Sequence, residues 1–221
     1  MTKDGESTGI PGVTALSLDG HGGASEISPA AAVAAPAGAS IWIHVDFSDP
    51  QAAEWAWEGS GLDDSIVSAM LDPESRPRTL QHGNGVLTML RGLNLNPGAR
   101  LEDMISVRAW LEPGRVVTAS RRRLRSLTEI RQNVGQGTGP NSPSGLIIDM
   151  IDRLNRYIGE GIEQIEENID RAEDDAVRDS SLNRSSAFNQ LRRQTAQIRR
   201  YLSPQREALD RLARVTDAIF D

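Results

Sequence analysis

LIIDMIDRLNRYIGEGIEQIEENIDRAEDDAVRD, residues 146–179, decides how the chain divides. Apolar or small side chains stand at 147, 151, 154, 158, 162, 165, 169, 172 and 176, so that eight steps cover 29 residues. The mean step matches the α-helical period of about 3.6 residues. A helix of this length runs ~50 Å at 1.5 Å per residue, far more than a small core can use. The stretch therefore predicts a long amphipathic helix. SSLN at 180–183 offers a turn and caps, and a second helical pattern follows through Ala187, Leu191, Ile198, Leu202, Leu209, Leu212, Val215 and Ile219. The short link predicts an antiparallel helical hairpin over 145–221.

Charge supports that orientation. Residues 160–179 hold nine acidic and two basic side chains, whereas 184–214 hold eight arginines and two acids. Folding one helix back on the other brings opposite charges near each other. Exposed pairs contribute only ~0–1 kcal/mol each, so charge selects the orientation more than it supplies stability. Pro204 interrupts the second pattern, at a cost of about 3 kcal/mol in a helix interior. Yet Leu202 and Leu209 are seven residues apart on one stripe across it. A true break has no reason to keep that phase, so the pattern predicts one helix, kinked near 200–204.

Working back from the hairpin, GQGTGPNSPSG at 135–145 is the clearest boundary in the chain. Before it lies a different texture, an α/β subdomain over 13–140. GVTALSLDGHGGASEIS (12–28) reads as two strands around a His-Gly-Gly turn, and the Ala/Pro/Gly stretch 29–40 as a loose linker. IWIHVDF (41–47) alternates, with Ile41, Ile43, Val45 and Phe47 on one side. Ser48 or Asp49 with Pro50 starts a short helix, and 62–71 gives another, stopped before Pro73. Two strands flank the turn at 82–85, and a Glu-Pro-Gly turn at 112–114 makes a hairpin of 103–121. RRRLRSLTEIRQNV (121–134) is helical, with Leu124, Leu127, Ile130 and Val134 as its apolar side. Residues 1–12 read as a polar, disordered tail.

Composition narrows the function classes. The 221 residues carry a formal net charge of −7 and no cysteine. The acidic balance argues against nucleic acid as a partner and against adsorption to anionic membranes. Disulfides and thiolate metal sites are excluded, and a reducing compartment suits the chain. No apolar run of about 18 residues or more is present, nor a secretory leader. No phosphate-binding P-loop and no Gly-x-Ser-x-Gly elbow occur, so the sequence reads as a non-enzyme. Arg121, Arg122, Arg123 and Arg125 could form a phosphate or nucleic-acid patch, but beside an acidic domain and without an aromatic platform they read as a solvated helix face. His21, His44 and His82 lack a second ligand at metal spacing, and His44 with Asp46 falls on the polar side of its strand. Glu163, Glu166, Asp170 and Glu173 share one side of the long helix. They are the candidate metal residues, able to hold a hydrated hard cation, with Zn²⁺ or another divalent cation bound weakly, although a charged solvated face paired with the arginine-rich helix is the favoured reading. No cofactor is required by anything else in the chain.

The order of these pieces resembles the cytoplasmic part of the CorA/ZntB family of two-transmembrane Gly-x-Asn divalent-metal transporters. The resemblance rests on Arg76-Pro77-Arg78, GVLTMLRGLN (85–94), MISVRAWLEPGRVVTASRRRLRSL (104–127), GTGP (137–140) and LRRQTAQIRRYLSPQREALDRLA (191–213). The last two look specifically like the zinc-transporting ZntB branch. Magnesium-transporting members tend to carry a Glu-Asp pair a few residues before the Arg-Pro; here Ser68 and Ala69 stand there. The resemblance implies an α/β/α domain with a mixed sheet between helices, followed by the long hairpin. It also implies a homo-pentameric funnel at the cytoplasmic face of the inner membrane, leading divalent cations to a pore. In that scheme the stalk, both membrane helices and the pore residues would lie beyond Asp221. A different class stays open at this point: an interaction or scaffolding module whose hairpin binds a partner helix, with no metal role.

Overall fold

The computed structural model describes residues 9–73, 76–178 and 183–220, and the side chains of all of these except 175–178, 183–187 and 217–220. The tail expected over 1–12 falls mostly outside that range, as does most of the turn expected at 180–183.

Seven strands form one sheet: β1 (Val13–Leu18), β2 (Ala24–Ile27), β3 (Ile41–Asp46), β4 (Arg78–His82), β5 (Gly85–Gly92), β6 (Ile105–Glu112) and β7 (Arg115–Ser120). Their order is β2-β1-β3-β7-β6-β5-β4. Neighbours are antiparallel except β3 and β7, which run parallel from Ile41 beside Arg115 to Asp46 beside Ser120. The expected mixed sheet is thus present. Its hairpins turn where the sequence predicts, with Gly83 and Gly114 at positive φ supplying the left-handed residue.

Helices cover both faces. On one side lie α1 (Pro29–Val33), α2 (Pro50–Glu58) and α3 (Asp64–Leu71). Ala32, Ala52, Trp55, Ile66 and Met70 of these helices pack on Ile41, Ile43, Val45, Leu87, Met89, Trp110 and Val117. On the other side lie α4 (Arg125–Gly135), α5 (Pro143–Arg178) and α6 (Asn183–Phe220). Leu127, Ile130, Leu146, Met150, Leu154, Ala208 and Leu212 there meet Trp42, Val86, Leu90, Val107 and Val116. Alternate residues of one strand feed opposite layers, which is why the central strands are apolar on both faces. Asp49 and Asp63 cap α2 and α3 by accepting from Gln51 N and Ser65 N.

Four expectations change. The stretch 29–40 is not wholly a linker: Ser28 accepts from Ala31 N and Pro29 sits in the first turn, so five residues fold as α1. Helix α4 starts at Arg125, not 121, which leaves Arg121–Arg123 ahead of it. Ile162, placed by periodicity on the buried face of α5, is 38% exposed. The face instead closes on Gly161, where a Cβ would collide with a methyl of Leu93. Finally, charge does not stitch the described part of the hairpin. Among the described residues no ion pair joins α5 to α6; the pairs made by α5 are within the helix or to Glu129 of α4. The two helices share instead an apolar cluster that holds Ile158, Ile165, Ile169, Ile198, Tyr201 and Leu202.

Helix α6 runs unbroken through Pro204. Its next residue explains why the helix is held there. Gln205 is buried, and its Oε1 accepts from the backbone N–H of Arg91 at 2.6 Å. One turn on, the Ala208 carbonyl accepts from Thr79 Oγ1 at 2.7 Å. These contacts fix α6 on β4 and β5 and offset the hydrogen bond that Pro204 cannot donate.

Candidate functional site

The acidic stripe stands as a row along α5: Glu163, Glu166, Asp170 and Glu173 are all exposed. Among the described residues no three His, Asp or Glu side chains gather closely enough to hold a metal ion. The stripe therefore presents distributed negative charge to solvent. The histidines also stay apart. His21 lies in the β1–β2 turn, which is closed by Asp19 Oδ1 accepting from His21 N and Gly23 N. His82 approaches Asp63 at 3.8 Å on the surface.

His44 is set more deeply than a solvent-facing strand residue. Its Nδ1 lies 3.0 Å from Thr118 Oγ1 of β7, which also accepts from Trp42 Nε1 at 2.9 Å. Burial draws its pKa down to about 4, Arg131 adds to that, and Asp46 and the Thr118 contact oppose it. His44 is therefore neutral at pH 7, a structural polar contact rather than a charged site.

Two arginine-rich constellations emerge. The first clamps α4 to α5. Glu129 accepts from Arg125 Nε at 2.9 Å and Arg153 Nη1 at 2.8 Å, while Arg153 also engages Asp149 through Nε at 2.6 Å. Burial pushes the Glu129 carboxyl up, but hydrogen bonds from Tyr157, Arg125 and Arg153 outweigh it and hold the pKa below the usual value. Each cation here has an anion, so the cluster is structural.

The second is a cavity of about 350 Å³ where the ends of β5 and β6 meet Pro73, just after α3, and the middle of α6. Arg91, Arg108, Arg121, Arg122 and Arg200 all line it. Arg108 is 3% exposed. Its Nη2 donates to the Asp72 backbone carbonyl at 2.6 Å, its guanidinium lies 4.8 Å from the Phe47 ring centre, and Arg121 stacks on the same ring at 5.2 Å. Arg91 lies 4.5 Å over Tyr201 and donates through Nη1 to Met104 O. Burial, with Arg91 and Arg121 nearby, draws the Arg108 pKa down to about 10 against the opposing pull of Asp72. The sequence flagged only Arg121 and Arg122, as a solvated face. Arg91, Arg108 and Arg200 come from β5, β6 and α6, and one cue was at hand: an arginine in the middle of the mostly apolar strand ISVRAWLE.

Among the described residues no helix is long and apolar enough to cross a membrane. A family model described as "CorA-like Mg2+ transporter protein" matches residues 37–220. The chain is 29% identical over 201 residues to the zinc transport protein ZntB of Yersinia enterocolitica, covering 91% of this chain and 61% of that protein. It thus spans about three fifths of the length of that relative. Among solved structures it is similar to full-length CmaX, with a TM-score of 0.82 at 29% identity, covering 94% of this chain and 65% of that one. The ZntB cytoplasmic domain of Vibrio parahaemolyticus superimposes with a TM-score of 0.74 at 25% identity, over 93% of this chain and 80% of that domain.

Proposed function

The chain belongs to the CorA-like Mg2+ transporter protein family, and from that premise we propose that it is the cytoplasmic part of a ZntB-like divalent-cation transporter, with zinc as the cation. The observation that carries the reading is the superposition on the ZntB cytoplasmic domain over nearly the whole chain, long helices included. The alignment with a zinc transport protein over 91% of the chain supports it independently. Ser68 and Ala69 on α3, in place of the acidic pair of magnesium-transporting members, favour zinc over magnesium.

In this reading the chain does no covalent chemistry. It forms part of an intracellular funnel at the inner membrane, built from five copies, with the α5–α6 hairpin bracing neighbouring subunits. The exposed carboxylates Glu163, Glu166, Asp170 and Glu173 raise the local cation concentration near the ion path by long-range attraction rather than by tight coordination. Such attraction is screened by salt over about 10 Å at 0.1 M ionic strength. The assembly is tested by measuring the mass of the full-length protein in detergent or nanodiscs. Five copies are expected; a monomer or dimer would remove the funnel from the account.

A further inference from the structure

The arginine-lined cavity is not explained by cation transport, and its composition identifies a ligand of the opposite sign. We propose that it binds a phosphate group, either inorganic phosphate or the phosphate of a small phosphorylated metabolite. Arg108 lies at its floor, and Arg121, Arg122 and Arg200 hold the anion at its mouth. The inference stands apart from the transport reading and does not depend on it.

Four observations converge. First, Arg108 is almost wholly buried, and its Nε has no hydrogen-bond partner. A buried guanidinium with an unmatched donor is costly, and an anion against the cavity wall would offset the charge of Arg108. Second, among the described residues no carboxylate lies within ion-pair distance of Arg108, Arg121, Arg122 or Arg200. The contrast with the α4–α5 clamp is direct, because there each arginine has its acid. Third, among the described residues few acids stand near Arg108, Arg121, Arg122 and Arg200: Glu102 is committed to Arg100 and to Gln194 Nε2, Asp72 acts on Arg108 as a nearby charge, and Asp103 is an exposed carboxylate on the cavity wall. Fourth, the arginines are braced rather than loose: Arg108 and Arg121 share the Phe47 ring, and Arg200 lies beside Tyr201. Aromatic stacking of this kind fixes guanidinium planes before the ligand arrives.

Guanidinium forks match oxyanions bidentately, and several forks around one space suit a tetrahedral dianion better than a monatomic ion. A cavity of about 350 Å³ lies at the small end of ligand sites, which run to roughly 1,000 Å³. That size admits a phosphate with a short organic group. Because Pro73, the sheet end and α6 each contribute to the wall, occupancy would tie the hairpin more tightly to the α/β layer.

The test is calorimetric titration of the purified protein with inorganic phosphate, pyrophosphate and a sugar phosphate, with sodium chloride at matched ionic strength as control. Saturable binding of a phosphate compound, absent with chloride, is expected. The strongest arm tells free phosphate from a phosphorylated metabolite. Arg108 is buried and its loss threatens folding, so the deciding variants are Arg121→Ala and Arg200→Ala, each expected to weaken binding about tenfold through one lost charged hydrogen-bonding group. Arg211→Ala, exposed and farther along α6, should leave affinity unchanged. No saturable heat with any phosphate compound would overturn the proposal. So would equal weakening by Arg211→Ala, or equal displacement by chloride, because either would mean diffuse electrostatics.

Discussion

Replacing His44 with Gln should flatten the acid side of the protein's stability profile. The native His44 pKa is drawn down to about 4 from the ordinary 6.5, chiefly because the imidazole is enclosed between β1, β7 and α4. Between those values the unfolded chain binds a proton that the folded chain refuses. Stability therefore rises with pH across that interval. The contribution of neutral His44 is complete above about pH 6.5 and is lost as pH falls towards 4. At 1.36 kcal/mol per pH unit, the interval sets a ceiling of about 3 kcal/mol. Residual solvent contact at the ring lowers that, so a loss of ~1–2 kcal/mol between about pH 7 and pH 5 is expected from this group. Gln keeps a polar side chain within reach of Thr118 but does not titrate. Urea unfolding of both proteins across that range provides the comparison. The gap between the two curves should close on the acid side by that amount. Parallel curves would show that His44 is freely hydrated in the native state and would refute the reasoning.

Three further substitutions probe the packing. Gly85→Ala places a Cβ inside the Trp110 indole, whose ring is fixed by its N–H bond to Glu112; a loss of ~1–3 kcal/mol is expected in chemical denaturation. Gly159→Ala meets nothing within 4 Å and lies inside α5, so a gain of ~0.5–1 kcal/mol is expected by the same assay. Leu146→Ala removes a fully buried side chain where α5 meets the sheet, and should cost ~2–5 kcal/mol, seen as a lower Tm.

Much of this architecture was legible because its signals are local. The 3.6-residue period of 146–179, the Asp49-Pro50 start and the Glu-Pro-Gly turn each act within a few residues, and each produced its element. Pro204 was correctly read as internal to one helix because the leucine stripe kept its phase across it. The failures share a cause as well. Acid and arginine counts suggested cross-helix ion pairing, but counts carry no register, and the hairpin is joined by Ile158, Ile165 and Ile198 instead. His44 read as a polar-face residue because Thr118 and Arg131, which enclose it, are remote in sequence. The arginine cavity was the least legible feature. In a three-layer fold both faces of a central strand are covered, so Arg108 of β6 is buried although its charge suits a solvent face.

The central claim is transport, and vesicles reconstituted with the full-length protein and loaded with a zinc-sensitive dye test it most directly. The account predicts zinc uptake above that of empty vesicles, reduced at low zinc when Glu163, Glu166, Asp170 and Glu173 are changed together to Gln or Asn. Absence of any divalent-cation flux through correctly assembled protein would contradict it.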